Sequence, residues 1–313
     1  VRILFWGTPD FAVPSLRALD DEGFEIVGVV TQPDRPAGRG RKLKSSPVKD
    51  VALELGFEVL EPKSPGTPEF IQRIRALEPD VSVVVAYGHI LNDEVLNVPG
   101  MGSINVHASL LPKLRGAAPI TWAIVRGHEE TGITIMRMVR EMDAGAIIHQ
   151  VVEPVLPDET GSELSIRLSE IGAEAIVEGL AILSSGAAEE VEQDHSLATF
   201  APKVDRASAR IDWSASARDV GFLVRGMDTT PGAWTTLDGQ PVKLFRPSVD
   251  DLGVASGSEP AGTVVAADSE NGLVVQTGDG EVGFAEVQPP GGRRMSVVDW
   301  INGRRIEAGK RFE

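Results

Sequence analysis

Residues 103–116 read SINVHASLLPKLRG. The first five have the composition of a buried strand, and the strand closes on Asn105 and His107, two residues apart and so on one side of it. Leu-Leu-Pro then fixes a turn, followed by a basic loop that ends at Gly116. An amide and an imidazole at the carboxyl end of an apolar strand decide what to ask next: which sheet carries this strand, and what lies beyond its end.

The sheet can be read from the flanking sequence. Apolar strands fall at 2–6, 25–31, 57–60, 81–86 and 103–107, with further strands at 132–139 and 145–153. Between them lie amphipathic segments with helix starts. Pro14 opens one in its first turn, while Ser46-Pro47 and Thr67-Pro68 each set a capping residue before a proline at the first helical position. A long helix is expected over 160–185. Strands alternating with helices, each strand nearly all apolar, imply an α/β fold with a mostly parallel sheet covered on both faces. From residue 208 the pattern changes to short β runs separated by Asp-Gly, Asn-Gly and Gly-Asp turns, which reads as a small β-barrel or sandwich. The 313 residues are more than one core usually serves. The expected division is a domain over 1–187 with a basic loop at 33–49, a linker at 188–207, and a β-barrel domain at 208–313.

Several function classes drop out. There is no cysteine, hence no disulfide, thiolate metal site or Cys nucleophile. No cluster of His, Asp and Glu has metal-ligand spacing, so no metal is expected. The first turn, Gly7-Thr-Pro-Asp-Phe-Ala12, lacks the later glycines of a dinucleotide fingerprint. Neither Ser103 nor Ser109 sits in a nucleophile elbow. No apolar run is long enough for a membrane span, and with no basic-then-apolar leader a cytoplasmic protein is expected. The tryptophans, Trp6 among them, are assigned to cores, and Trp213 to the junction between the domains. His89 is assigned either to the crevice or to the core; His128, His149 and His195 are given no role.

Net charge is −16, but it is unevenly spread. Residues 35–49 carry +6 with no acidic residue and 293–311 carry +4, which leaves −26 for the rest. Such a distribution orients an incoming polyanion rather than binding it everywhere.

At the strand end, Asn105 offers an N–H to a developing oxyanion and His107 a group that titrates near neutrality. Asp143, at a turn between two apolar strands, is placed to orient the imidazole. The Ser109–Pro112 turn is expected to leave backbone N–H and C=O groups free for a planar heterocycle.

The stretches INVHASLLPKLRGAAPI (104–120) and TGITIMRMVREMDAGAII (131–148) resemble the folate-dependent formyltransferases. FWGTPDFAVPSL (5–16), TQPDRPAGRGRKLKSSPVK (31–49) and LVRGMDTTPGAWT (223–235) are similar to the family's two-domain members that act on methionyl initiator tRNA. The likeness runs through nearly the whole chain. It implies a Rossmann-like formyltransferase domain followed by an OB-like barrel that binds tRNA. Nothing in the sequence suggests an obligate dimer, so a monomer is expected. The co-substrate implied is 10-formyltetrahydrofolate, with no metal. Carried over by position, Asn105, His107 and Asp143 match the catalytic trio, and Ser109, Leu110, Leu111 and Pro112 the folate-contacting turn. The basic loop matches the segment that meets the acceptor stem, Arg39 first, then Arg41, Lys42 and Lys44. Two other readings stand beside this one: transfer to the amine of a sugar nucleotide, which needs no such loop, and an RNA-binding module without catalysis.

Overall fold

The computed structural model describes residues 1–37, 42–186, 189–249, 259–304 and 306–313. The described chain forms two compact units, neither of them one continuous segment. The first comprises Val1–Pro119, Glu130–Pro154 and Ser165–Ala201; the second comprises Ile120–Glu129, Val155–Leu164 and Pro202–Glu313.

In chain order, the strands of the first unit are β1 (Arg2–Gly7), β2 (Glu25–Val30), β3 (Arg35–Ala37), β4 (Lys42–Lys44), β5 (Val59–Leu60), β6 (Val81–Val85), β7 (Ser103–His107), β8 (Glu130–Arg137) and β9 (Ile147–Pro154). Its helices are α1 (Val13–Asp21), α2 (Pro47–Glu54), α3 (Pro68–Arg75) and α4 (Asp93–Leu96). Helices α5 (Pro119–Val125) and α6 (Gly161–Ser184) each run from one unit into the other. Seven strands form one sheet in the order β5-β2-β1-β6-β7-β8-β9. The first five are mutually parallel, β8 runs against them and β9 returns to their direction, so the sheet is mostly parallel, as the sequence implies. Central β1 is buried on both faces, with Ile3 to Trp6 fully inaccessible. That explains its unbroken apolar run.

The chain lays β2 and β5 on one side of β1 and then places β6 on the other. This is a topological switch point, where open α/β sheets leave a crevice beyond the strand ends. The expected caps form: Ser46 Oγ accepts from Lys49 N at 3.1 Å and Thr67 Oγ1 from Phe70 N at 3.3 Å. Helix α6 reaches the sheet through Gly172 and Gly179, seven apart on one face. A Cβ at Gly172 would lie 3.2 Å from Val106, and one at Gly179 would lie 3.1 Å from Ile135. Val106 therefore faces α6, and its neighbours Asn105 and His107 face the opposite side of the sheet.

The second unit holds α7 (Ala217–Gly226), then β10 (Trp234–Leu237), β11 (Gln240–Ser248), β12 (Val264–Asp268), β13 (Gly272–Gln276), β14 (Glu281–Gln288), β15 (Met295–Ser296) and α8 (Val297–Arg304). Its strands run β10-β11-β14-β13-β12, all antiparallel, with β15 on β14. Residues 309–313 bridge the two edges: Phe312 N donates to Gly262 O, and Thr236 and Glu313 exchange backbone hydrogen bonds. That makes the sheet barrel-like. The Asp-Gly turn behaves as read, with both Asp238 and Gly239 at positive φ between β10 and β11. Reading the β runs alone passed over α7 and α8. Ser216 caps α7 by accepting from Asp219 N at 3.0 Å, and Val220 and Val224 of α7 join Trp300 and Ile301 of α8 in this unit's core. Trp213, expected at a domain junction, packs inside this core against Phe284 and Phe312.

One ion pair in this unit has a pH consequence. Thr160 and Glu163 form a reciprocal capping box at the start of α6, and Glu163 also pairs with Arg246 Nη2 at 2.7 Å. Arg246, then the Thr160 N–H, hold the Glu163 carboxyl down to about 2, against an ordinary value of 4.5. The stabilisation is thus fully present above about pH 4.5 and is lost as pH falls toward 2. Glu163→Gln is expected to flatten the acid limb of a denaturation profile in that window. The effect is modest, because the carboxylate is 44% exposed.

Candidate active site

Strand β7 delivers Asn105 and His107 to the carboxyl end of the sheet on one face, paired with β6 on one side and β8 on the other. His107 is buried; Asn105 is half-buried, and its amide has no hydrogen-bond partner among the described residues. His107 Nε2 lies 3.0 Å from the Leu114 carbonyl oxygen. A carbonyl can only accept, so that nitrogen carries the proton. In the neutral ring Nδ1 then presents its lone pair toward Asp143 Oδ2, 3.7 Å away and too far for a hydrogen bond. Burial drives the imidazole below its ordinary pKa; Asp143 and the Leu114 carbonyl pull it back up, and nearby Arg115 pushes it further down. The site therefore holds a neutral base with a carboxylate aimed at its free nitrogen.

Asp143 is held in a turn at positive φ between β8 and β9, and its Oδ2 accepts from Gly116 N at 2.7 Å. The groups that fix this turn were not singled out in the sequence. Gln193 donates from Nε2 to the carbonyls of Asp143 (3.0 Å) and Gly145 (2.7 Å). Its Oε1 accepts from Nε and Nη2 of buried Arg115, at 3.1 and 2.6 Å. Arg115 Nη2 also meets His195 Nδ1 at 3.0 Å, which gives that histidine a structural part. Residues 189–201, read as linker, run against the first unit throughout. Val191 pairs with Ile147, Thr199 Oγ1 accepts from Leu114 N, and Ala201 N donates to Arg115 O. They strap the loop that carries Leu114, Arg115 and Gly116. No periodicity announces such a role, since every contact spans dozens of residues. A buried arginine in the quoted stretch was the one available signal.

The Ser109–Pro112 turn follows β7 directly, with a cis Leu111–Pro112 bond. Its polar groups are not left free, as the sequence reading expected. Leu111 donates its N–H to Thr134 Oγ1 and accepts from Gln150 Nε2 on its carbonyl, at 3.2 and 3.0 Å. Ser109 O accepts from Thr134 Oγ1 at 2.6 Å, and Ser109 Oγ donates to Lys113 O at 2.6 Å. Two side chains from β8 and β9 thus fix the turn, and what it offers outward is the half-buried surface of Leu110 and Pro112.

At the switch point, a cleft of about 310 Å³ is lined by Thr8, Gln32, Lys44, Ser46 and Tyr87 among others. Thr8 Oγ1 and Gln32 Nε2 both donate to the Tyr87 carbonyl, tying together the ends of β1, β2 and β6. Of the cations assigned to the basic loop, Lys44 lines this cleft and is exposed. Arg39 and Arg41 lie outside the described residues; Lys42 is described only in its backbone, on β4. Two other charges of the run are already engaged, Lys49 with Asp34 and Glu61 and Arg35 with Gln32. The later basic segment is partly spent as well: Arg294 pairs with Asp228 and Glu286, and Lys310 with Asp238. Among the described residues no group of His, Asp and Glu can hold a metal ion, and no helix is long and apolar enough to cross a membrane.

Residues 1–180 match the formyl transferase family, and residues 203–305 match the formyl transferase C-terminal domain. A methionyl-tRNA formyltransferase from Acetivibrio thermocellus is 44% identical over 310 residues, covering 99% of each chain. One from Pseudomonas fluorescens is 44% identical over 305 residues, covering 97% of this chain and 94% of that one. Among solved structures, HypX from Aquifex aeolicus in complex with tetrahydrofolic acid has a TM-score of 0.64 at 19% identity, over 96% of this chain. This chain spans 46% of that one, and the likeness shows the fold alone. Identity of 44% to such relatives over nearly the full length, together with a family match over more than half of the chain, means that the chain belongs to the formyl transferase family, in its methionyl-tRNA branch.

Proposed function

We propose that this protein transfers the formyl group of 10-formyltetrahydrofolate to the α-amino group of methionyl initiator tRNA, for translation initiation. It acts in the cytoplasm as a monomer and requires no metal. The observation that carries the reading is the convergence, at the end of β7, of an Asn105 amide without a partner among the described residues, a neutral buried His107 and Asp143.

In the proposed mechanism the neutral amine attacks the formyl carbon, and a C–N bond forms. The Asn105 N–H donates to the oxygen as it becomes an oxyanion. His107 Nδ1, whose lone pair is free, takes the proton released by the amine nitrogen, and the Asp143 carboxylate stabilises the resulting imidazolium. The proton passes to the folate nitrogen as its bond to the formyl carbon breaks, leaving the N-formyl amine and tetrahydrofolate. Leu110 and Pro112 supply an apolar wall for the pteridine, beside Ser109 and Leu111. Arg39, Arg41, Lys42 and Lys44 receive the phosphates of the acceptor arm, and the barrel unit at 208–313 binds more of the tRNA.

Transfer of labelled formyl to methionyl initiator tRNA tests this directly. The expected result is transfer whose kcat/KM falls steeply with salt, by a log–log slope of about −0.7 to −0.9 for each phosphate neutralised. Removing residues 36–44 should raise KM for tRNA. Salt-independent transfer to an amino-sugar nucleotide, with none to tRNA, would establish the other reading.

A further inference from the structure

Three consecutive residues after the Ser109–Pro112 turn each hold a different part of the candidate active site. The Leu114 carbonyl accepts from His107 Nε2 at 3.0 Å, and Gly116 N donates to Asp143 Oδ2 at 2.7 Å. Between them, Arg115 sends its guanidinium to Gln193 Oε1, with Nε at 3.1 Å and Nη2 at 2.6 Å. Gln193 Nε2 then donates to the carbonyls of Asp143 at 3.0 Å and Gly145 at 2.7 Å. These bonds close a ring: from Asp143 to Gly116, along the chain to Arg115, across to Gln193, and back to Asp143.

Gln193 is saturated. Both of its N–H groups are donated and its amide oxygen accepts twice, in a residue that is 5% exposed. Arg115 is buried too, and among the described residues it has no carboxylate partner; its acceptors are the Gln193 oxygen and His195 Nδ1. A buried guanidinium without a counter-ion adds little to stability, but its fork of N–H groups fixes where the accepting oxygen lies. The turn requires that precision. Asp143 has a φ of 51°, a conformation that residues with a side chain rarely adopt. A Cβ at Gly145 would lie 2.1 Å from Arg137 O, so the turn is pressed against the end of β8. The Asp143 carboxylate stands 3.7 Å from His107 Nδ1. A charge-assisted bond to the protonated ring needs about 2.7–2.9 Å, so the carboxylate must close by roughly 1 Å and must not drift the other way.

We infer that Gln193 is a positioning residue for formyl transfer: by tying the Asp143 and Gly145 carbonyls to Arg115, it keeps the Asp143 carboxylate within reach of His107 Nδ1 when the ring takes its proton. Its own hydrogen bonds all go to Arg115, Asp143 and Gly145, so it acts through Asp143. The inference rests on the mechanism of the preceding section and deepens it, by making a side chain 50 positions beyond Asp143 part of the site.

The test is a double-mutant cycle of Gln193→Met with Asp143→Asn, read in kcat and KM for transfer to methionyl-tRNA. Gln193→Met alone is expected to lower kcat about 10- to 100-fold, the range for a displacement of about 1 Å, with KM for tRNA and donor within about threefold. In the Asp143→Asn background the same substitution should cost less than about threefold, because the carboxylate it positions is gone. The pH profile is a second readout. The charged groups bearing on His107 are Asp143, from the β8–β9 turn, and Arg115, from the loop after β7; Thr134, opposite it on β8, carries no charge. Asp143 favours the protonated ring, so a turn that drifts away should move the acid limb of kcat to lower pH. Equal losses in both backgrounds, with an unmoved acid limb, would make Gln193 a structural residue only and overturn the inference. Where Gln193→Met does not melt cooperatively, Gln193→Asn takes its place, with an amide one methylene too short to span Arg115 and the turn. If the unaltered protein formylates no tRNA, the functional reading fails instead, and NMR titration of the His107 ring decides the inference alone. A lower midpoint in the Gln193 variant supports it, and an unchanged midpoint overturns it.

Discussion

His107→Gln is expected to lower kcat about 100- to 1000-fold while leaving KM for tRNA and folate within about threefold. The size follows from losing a transition-state interaction of about 2.7–4 kcal/mol. The asymmetry follows from position, because His107 is buried at the strand end and is proposed to act on the reacting atoms alone. Asn105→Ala should fall in the same range, since among the described residues its amide has no partner whose loss would confuse the result. Asp143→Asn should lower kcat and also disturb the 113–116 loop, whose Gly116 N–H it accepts. Single-turnover kinetics with labelled formyl donor checks all three. A His107→Gln enzyme with near-normal turnover would remove the imidazole from the mechanism. The same burial sets a pH signature. The imidazole is held below its ordinary value of 6.5, so the native state resists a proton that the unfolded chain accepts. Its contribution to stability is present above about pH 6.5 and lost as pH falls. His107→Gln should reduce that slope.

Gly132→Ala is expected to abolish the folded first unit, with a destabilisation above about 4 kcal/mol, in the range reserved for severe backbone clashes. Gly132 lies on β8 opposite Val152. A Cβ there would stand 2.0 Å from the Val151 carbonyl oxygen and 2.7 Å from Leu110 Cδ2. The first contact is with backbone inside a paired ladder and cannot turn away; the second presses on the turn after β7. Gly100→Ala is the matched control, with nothing within 4 Å of its Cβ, and should change stability by no more than about 0.5 kcal/mol. Equilibrium urea unfolding of both proteins checks the contrast. A folded, cooperative Gly132→Ala protein would mean that β8 and β9 are free to separate at this point.

What the sequence made legible is what local patterning encodes. The parallel core showed because Ile3–Trp6 of β1 and Val81–Val85 of β6 are buried, and the one polar residue among them, Ser82, accepts from Trp6 Nε1 at 3.1 Å. Asn105 and His107 showed because period two puts unlike chemistry on the side away from α6. The strap over 189–201 did not show. Its residues act singly, Gln193 on Asp143 and Gly145, Thr199 on Leu114, each across 48 to 85 positions of chain. Charge counting failed for a related reason. A run of cations looks free until Asp34 and Glu61 are found beside Lys49, and the count cannot distinguish a paired lysine from an open one. Helices α7 and α8 were hidden among β runs, although Ser216 and Asp219 carried a legible start signal.

The chain passes between its two compact units five times, at 119, 129, 154, 164 and 201. Lost modularity is the consequence. A barrel cut out after residue 201 would lack 120–129 and 155–164, and with them Val125 beside Gly226, Gly127 beside Phe222 and the Glu163 partner of Arg246. Such a fragment is not a self-contained cassette, because part of its own packing stays behind in 120–129 and 155–164. A breakpoint at 201 therefore falls inside the second unit's own packing and not between two self-contained modules.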